Sequence, residues 1–87
     1  MQALGRHLII EYYDCNPDFL NDIILIEKAM LDASSKMNAT CVAHKFHQFA
    51  PQGVSGAVIV EESHLTIHTW PEFSYAAVDF YTCGAKC

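Results

Sequence analysis

Basic residues are scarce in this chain of 87: five Lys and Arg stand against ten Asp and Glu, a formal charge of −5. Without a basic stripe the composition argues against nucleic acid as the main partner, because phosphate binding needs clustered cations. The same sign suits a cationic small molecule. Charge of either sign is also sparse, 17% of residues against 52% hydrophobic, which argues against disorder and leaves apolar surface for a partner. No apolar run approaches the length of a bilayer span, and Met1 is not followed by a charged and then an apolar segment, so a cytoplasmic protein with no membrane partner is expected. No repeat, linker or low-complexity tract divides the chain, so one domain over residues 1–87 is expected. That is near the size at which one core is barely sufficient, and a homodimer or higher oligomer follows as an expectation. Four cysteines, Cys15, Cys41, Cys83 and Cys87, read as reduced thiols in the absence of a secretory signal.

What is present is mostly strand. Residues 4–13 alternate, with Leu8, Ile10 and Tyr12 on one face. Asn16-Pro17 signals a helix start, and Phe19, Ile23, Ile26, Met30, Ala33 and Met37 form one apolar stripe at helical spacing, widened by Ile24 and Leu25. Asp22, Glu27, Lys28, Asp32 and Lys36 supply its wet face. Four strands are then expected over 40–49, 54–61, 65–70 and 75–82, separated by a Pro51-Gln52-Gly53 turn, a Glu62-Ser63-His64 corner and a turn over 71–74. One strand, one helix and four short strands predict an α+β two-layer sandwich, a mainly antiparallel sheet with helix on one face.

The run from Glu61 to Pro71 stands apart, because it places a serine behind two carboxylates at the mouth of an alternating segment. A Glu-Ser bond there can cut itself. The Ser63 hydroxyl attacks the carbonyl of Glu62 to give an ester, β-elimination leaves dehydroalanine, and hydrolysis leaves a pyruvoyl group, a ketone that can condense with an amine and draw electrons from its α-carbon. On composition alone Ser63 is a turn serine capping a strand. The wider pattern reverses that: Leu4-Gly5-Arg6-His7-Leu8, Gly53-Val54-Ser55-Gly56, the run from Glu62 to Glu72, and Asp79-Phe80-Tyr81-Thr82-Cys83-Gly84 occur in order. In these motifs the chain resembles the bacterial and archaeal S-adenosylmethionine decarboxylase proenzymes.

The resemblance implies an S-adenosylmethionine decarboxylase-like fold and cleavage between Glu62 and Ser63 into fragments 1–62 and 63–87. It also implies a pyruvoyl cofactor derived from Ser63 and decarboxylation of S-adenosylmethionine for polyamine (spermidine) synthesis. By the same resemblance Ser55 and His68 assist processing, Cys83 protonates the substrate α-carbon, and Phe49, Leu65, Trp70 and Glu72 bind substrate. A histidine titrating near neutrality suits proton handling. Aromatic faces suit adenine and a sulfonium, and a carboxylate can accept both ribose hydroxyls. Relatives continue past Gly84 with a second helix and a further strand, so part of the sheet is expected to lack cover or to borrow it. Two other readings stay open on the residues: a non-catalytic member that binds S-adenosylmethionine or a partner chain, and a decarboxylase of arginine or ornithine. A zinc site from His64, His68, Cys83 and Cys87 is disfavoured and no metal is expected, since histidines four apart on a strand stand roughly 13 Å from each other.

Overall fold

The computed structural model describes residues 5–37, 40–61 and 63–82. Strand β1 (Arg6–Tyr12) leads to helices α1 (Pro17–Leu20) and α2 (Ile23–Lys36), then to β2 (Cys41–Gln48), β3 (Val54–Val60), β4 (Ser63–Trp70), a 3-10 turn at Pro71–Phe73 and β5 (Tyr75–Thr82). The sheet is antiparallel throughout, in the order β1-β5-β4-β3-β2. Short connections make β2 to β5 a meander, and β1, separated from β2 by both helices, closes the far edge against β5. This is the expected α+β two-layer arrangement.

The single helix expected after Asn16 is two. Asn16 caps the first by accepting from Asp18 N at 2.9 Å, but the chain turns at Asn21 and Asp22 adopts an extended conformation. Asp22, expected on the wet face, is instead the cap of α2, its Oδ1 accepting from Ile24 N and Leu25 N at 3.1 Å each. A short Asx side chain competes with the backbone for these donors, and such a cap stabilises a helix by about 1 kcal/mol. The stripe survives the break through Ile26 and Met30, which are buried. Ile24 and Leu25 do not widen it: they lie on the solvent side, Ile24 at 73% exposure, and Phe19 and Met37 at the ends of the stripe are also exposed.

The core lies between α2 and the middle of the sheet, where Ile26 and Met30 meet Phe46, Val54, Val58, Val60, Leu65 and Ile67. Val54, Val58 and Ile26 are the most deeply buried, each contributing roughly 1.5–3 kcal/mol relative to exposure. Val42, expected to share the face of Phe46, is exposed because the β2–β3 register shifts between Cys41 and Ala43. Strand β4 starts at Ser63, two residues before the expected bound, so Ser63 and His64 belong to the ladder and not to a corner. Cover is uneven: α2 lies over β2 and β3, α1 touches β4, and Leu8 and Tyr12 of β1 remain exposed among the described residues. No helix among those residues is long and apolar enough to cross a membrane.

Gly56 sits directly under Phe46. A Cβ built there would fall 2.6 Å from the Cγ of that ring and closer still to its edge, and Phe46 is itself held by the core. Gly56→Ala should therefore destabilise the fold by about 1–3 kcal/mol through overpacking. Urea unfolding would measure it, and an unchanged midpoint would mean that Phe46 swings aside freely.

Candidate active site

Strand β4 sorts its side chains by parity. Leu65, Ile67 and Thr69 turn into the core, and His64, Thr66, His68 and Trp70 turn to the opposite face, which no helix among the described residues covers. Register then decides the neighbours on that face: Ser55 of β3 and Ala77 of β5 flank His68, Tyr75 lies beside Trp70, Asp79 beside Thr66, and Tyr81 beside His64. Small residues on both sides leave space above the His68 ring.

Ser55 Oγ and His68 Nδ1 are hydrogen-bonded at 2.8 Å. With the ring hydrogen on Nε2 the serine donates, and Nε2 then points a donor away from the pair. Around them opens a recess of ≈ 280 Å³ lined by Phe49, Gln52, Gly53, Ser55, His68, Thr69, Trp70 and Glu72. Phe49 comes from the β2–β3 turn, whose Gly53 has φ 109°, a conformation that favours glycine. Trp70 and Glu72 come from the end of β4 and the turn that follows it. Trp70 packs at 5.3 Å on Tyr75, which packs at 5.3 Å on Tyr13, and Tyr13 donates to Glu11. That carboxylate raises the Tyr13 phenol above its ordinary value, while Tyr75 is raised first by burial and then by Glu11. Both tyrosines stay neutral O–H groups at neutral pH.

Five of the expected residues thus meet: Ser55, His68, Phe49, Trp70 and Glu72. Leu65 does not join them, because its parity sends the side chain into the core at 3% exposure. Ser63 is half-buried and pairs with Val60 at the other end of β4. Five residues of strand place it roughly 16 Å from His68 at ~3.3 Å per residue, beyond contact within one chain. Glu62 and Cys83 lie outside the described residues. His64 and His68 share a face at strand spacing, His64 stacking instead on Tyr81 at 5.6 Å, and among the described residues no three His, Cys, Asp or Glu come together as a metal site. Cys87 lies outside them too.

Two features went unforeseen. His47 stands opposite Ser55 with its ring 4.6 Å from Phe49, edge to face, a neighbour that its parity with Phe49 foreshadows. On the Ser63 side of the face Asp79 accepts from Thr66 and pairs with His7 Nε2 at 2.8 Å. Only the β1–β5 register brings His7 there.

The fold and this face define a two-layer antiparallel α+β domain with a serine–histidine pair in an aromatic and acidic recess. The family model described as S-adenosylmethionine decarboxylase matches residues 6–87. An S-adenosylmethionine decarboxylase proenzyme of Thermosipho melanesiensis is 57% identical over 97% of this chain and 65% of its own length. One of Caldicellulosiruptor saccharolyticus is 56% identical over 99% and 69%. The crystal structure of adenosylmethionine decarboxylase from Aquifex aeolicus superposes with a TM-score of 0.89 at 34% identity, covering 97% of this chain and 69% of that one. This chain belongs to the S-adenosylmethionine decarboxylase family, and it spans about two thirds of the length of these relatives.

Asp79 gives the face a pH signature. Its carboxyl is held below its ordinary value, first by the Thr66 hydroxyl and then by the hydrogen bond and charge of His7, with partial burial opposing both. A depressed carboxyl stabilises the fold above its unfolded value, near pH 4, and that contribution is lost as pH falls through the folded value. Asp79→Asn should therefore flatten the decline in melting temperature as pH falls below about 4. Parallel declines in variant and wild type would refute it.

Proposed function

We propose that this chain is a self-cleaving, pyruvoyl-dependent decarboxylase of S-adenosylmethionine, supplying the aminopropyl donor for spermidine synthesis in the cytoplasm. The observation that carries the reading is the meeting of Ser55 and His68 with Phe49, Trp70 and Glu72 in one recess. The residues fit the pyruvoyl group: Ser63 opens β4 immediately after the scissile bond, half-buried and outside the hydrophobic core. The ketone supplies an electrophile for the substrate amine and an electron sink beside the scissile carboxylate.

The remaining work falls to side chains. His68, oriented by Ser55, moves the proton that leaves the α-carbon of residue 63 during processing. Phe49 and Trp70 take the adenine, Glu72 accepts from the ribose hydroxyls, and any contribution of Leu65 comes from its backbone. Cys83 returns a proton to the substrate α-carbon after CO₂ has left. Cleavage would divide one domain into residues 1–62 and 63–87, and the smaller piece would stay in place because β4 and β5 are held between β3 and β1 by ladders on both sides.

Denaturing mass spectrometry and release of labelled CO₂ test the reading together. Two fragments, the heavier ending at Glu62, are expected from wild type and one uncut chain from Ser63→Ala. The cut protein should release CO₂ from carboxyl-labelled S-adenosylmethionine. Release only from arginine or ornithine would overturn the substrate, and an uncut wild type would overturn the chemistry.

The reading also requires association, because Ser63 and the Ser55–His68 pair stand at opposite ends of one strand. We propose a homodimer or higher oligomer in which Ser63 of one copy meets the recess of another. The face bearing His68 offers Ile9 and Ile59, 66% and 50% exposed, as apolar surface for it. Sedimentation should give at least a dimer at micromolar concentration; a monodisperse monomer would contradict this.

A further inference from the structure

We infer that the break between α1 and α2 is a bracket that sets the spacing of the Phe49 and Trp70 walls, with Asn21 as its positioning residue; the inference rests on the nucleoside reading of the recess. Asn21 is exposed at a helix end, where a polar side chain ordinarily meets water. Its Oδ1 instead accepts from two groups far along the chain, Gly53 N at 2.8 Å and Gln48 Nε2 at 2.9 Å. Gln48 Nε2 also donates to the Gly53 carbonyl at 2.9 Å, and Phe49 N donates to that carbonyl at 2.8 Å. The turn that carries Phe49 is therefore closed on itself and pinned to Asn21.

The preceding residue holds the other wall. Thr69 is buried, its Oγ1 donating to the Leu20 carbonyl and accepting from Val54 N, each at 2.8 Å, and Trp70 follows it in the chain. Leu20 and Asn21, adjacent in sequence, thus grip the strand end bearing Trp70 and the turn bearing Phe49. His47 backs the Phe49 ring from a third side.

A flat heteroaromatic base held between two rings needs their faces roughly 7 Å apart, two contacts of ~3.5 Å. A turn free to shift loses that spacing without losing either ring. Asn21 does not line the recess, so its effect falls on affinity for the base and not on the chemistry.

Trp70 is the only tryptophan in the chain, so its fluorescence reports on the recess directly. Adenosine titrated into the full chain should quench it saturably. Asn21→Ala should bind adenosine about three- to tenfold more weakly, the range expected for loss of one or two neutral hydrogen bonds. Asn21→Asp, which keeps an acceptor for both N–H groups, should stay within about twofold of wild type. Gln48→Ala, which removes one arm, should fall between them. Wild-type affinity in Asn21→Ala, or equal loss in the Asp and Ala variants, overturns the bracket. If Asn21→Ala fails to fold by circular dichroism, Gln48→Ala decides, and unchanged affinity there overturns it as well. No saturable response from wild type would instead refute the nucleoside reading, and the bracket would fall with it.

Discussion

Everything on the functional face depends on the two-residue period of β4, one side of which is buried. Leu65, Ile67 and Thr69 point into the core, so His64, Thr66, His68 and Trp70 cannot. A slip of one residue against β3 would carry His68 into the packing of Val54 and Val58 and expose Leu65 and Ile67, losing several kilocalories of apolar burial. The core therefore specifies the register, and the register specifies that Ser55 meets His68 at 2.8 Å. Positioning of the pair is a by-product of hydrophobic packing on the other side of the sheet.

Thr69 is the exception in the buried row, and it shows how the two faces are joined. A hydroxyl desolvated without partners would cost at least about 1 kcal/mol. Here it is satisfied by the Leu20 carbonyl and the Val54 amide, which ties the helix break to the neighbouring strand. Valine would pack as well and would bind neither. The close pass of the β2–β3 turn over β4 adds a second constraint: a Cβ at Gly53 would lie 3.2 Å from the Thr69 carbonyl, and the backbone there is left-handed. Glycine fits both conditions.

Strands were legible where alternation was bounded by turn residues, and β5 begins and ends where the sequence places it. The helix break was not, because the apolar stripe runs through it undisturbed; what divides the helix is local competition by the Asp22 side chain for the amides of Ile24 and Leu25, while the Asn21 side chain bonds to Gly53 and Gln48, and neither leaves a mark on periodicity. The shift in β2 was equally silent, since an extra residue in a strand changes parity without changing composition. Ser55, His68, Phe49, Trp70 and Glu72 were named from a resemblance, and the sheet shows what joins them. Leu65 shows the limit of that route, since a motif names a residue but parity says where its side chain goes. Asp79, His7 and Thr66 lay beyond reach, as their meeting needs two strand registers at once.

The distance between Ser63 and the Ser55–His68 pair is the reason the proposed reading needs two copies. One strand cannot bring its first residue to its sixth, and a recess of ≈ 280 Å³ falls below the usual range for an enclosed organic ligand. In the dimer proposed above, a two-fold axis parallel to the bare face and perpendicular to β4 would resolve both shortages, because it would lay the Ser63 end of each sheet over the recess of the other, twice. Sheets packed face to face stand about 10 Å apart, so their centres interdigitate while their twisted ends diverge. In that dimer the divergence would leave room at the ends of β4, near Ser63 and the Ser55–His68 pair, and would bury Ile9, which lies level with Thr66 near the middle of the strand. In the proposed dimer the site would belong to the pair of sheets, each chain supplying Ser63 from one end of its central strand and the Ser55–His68 pair from the other.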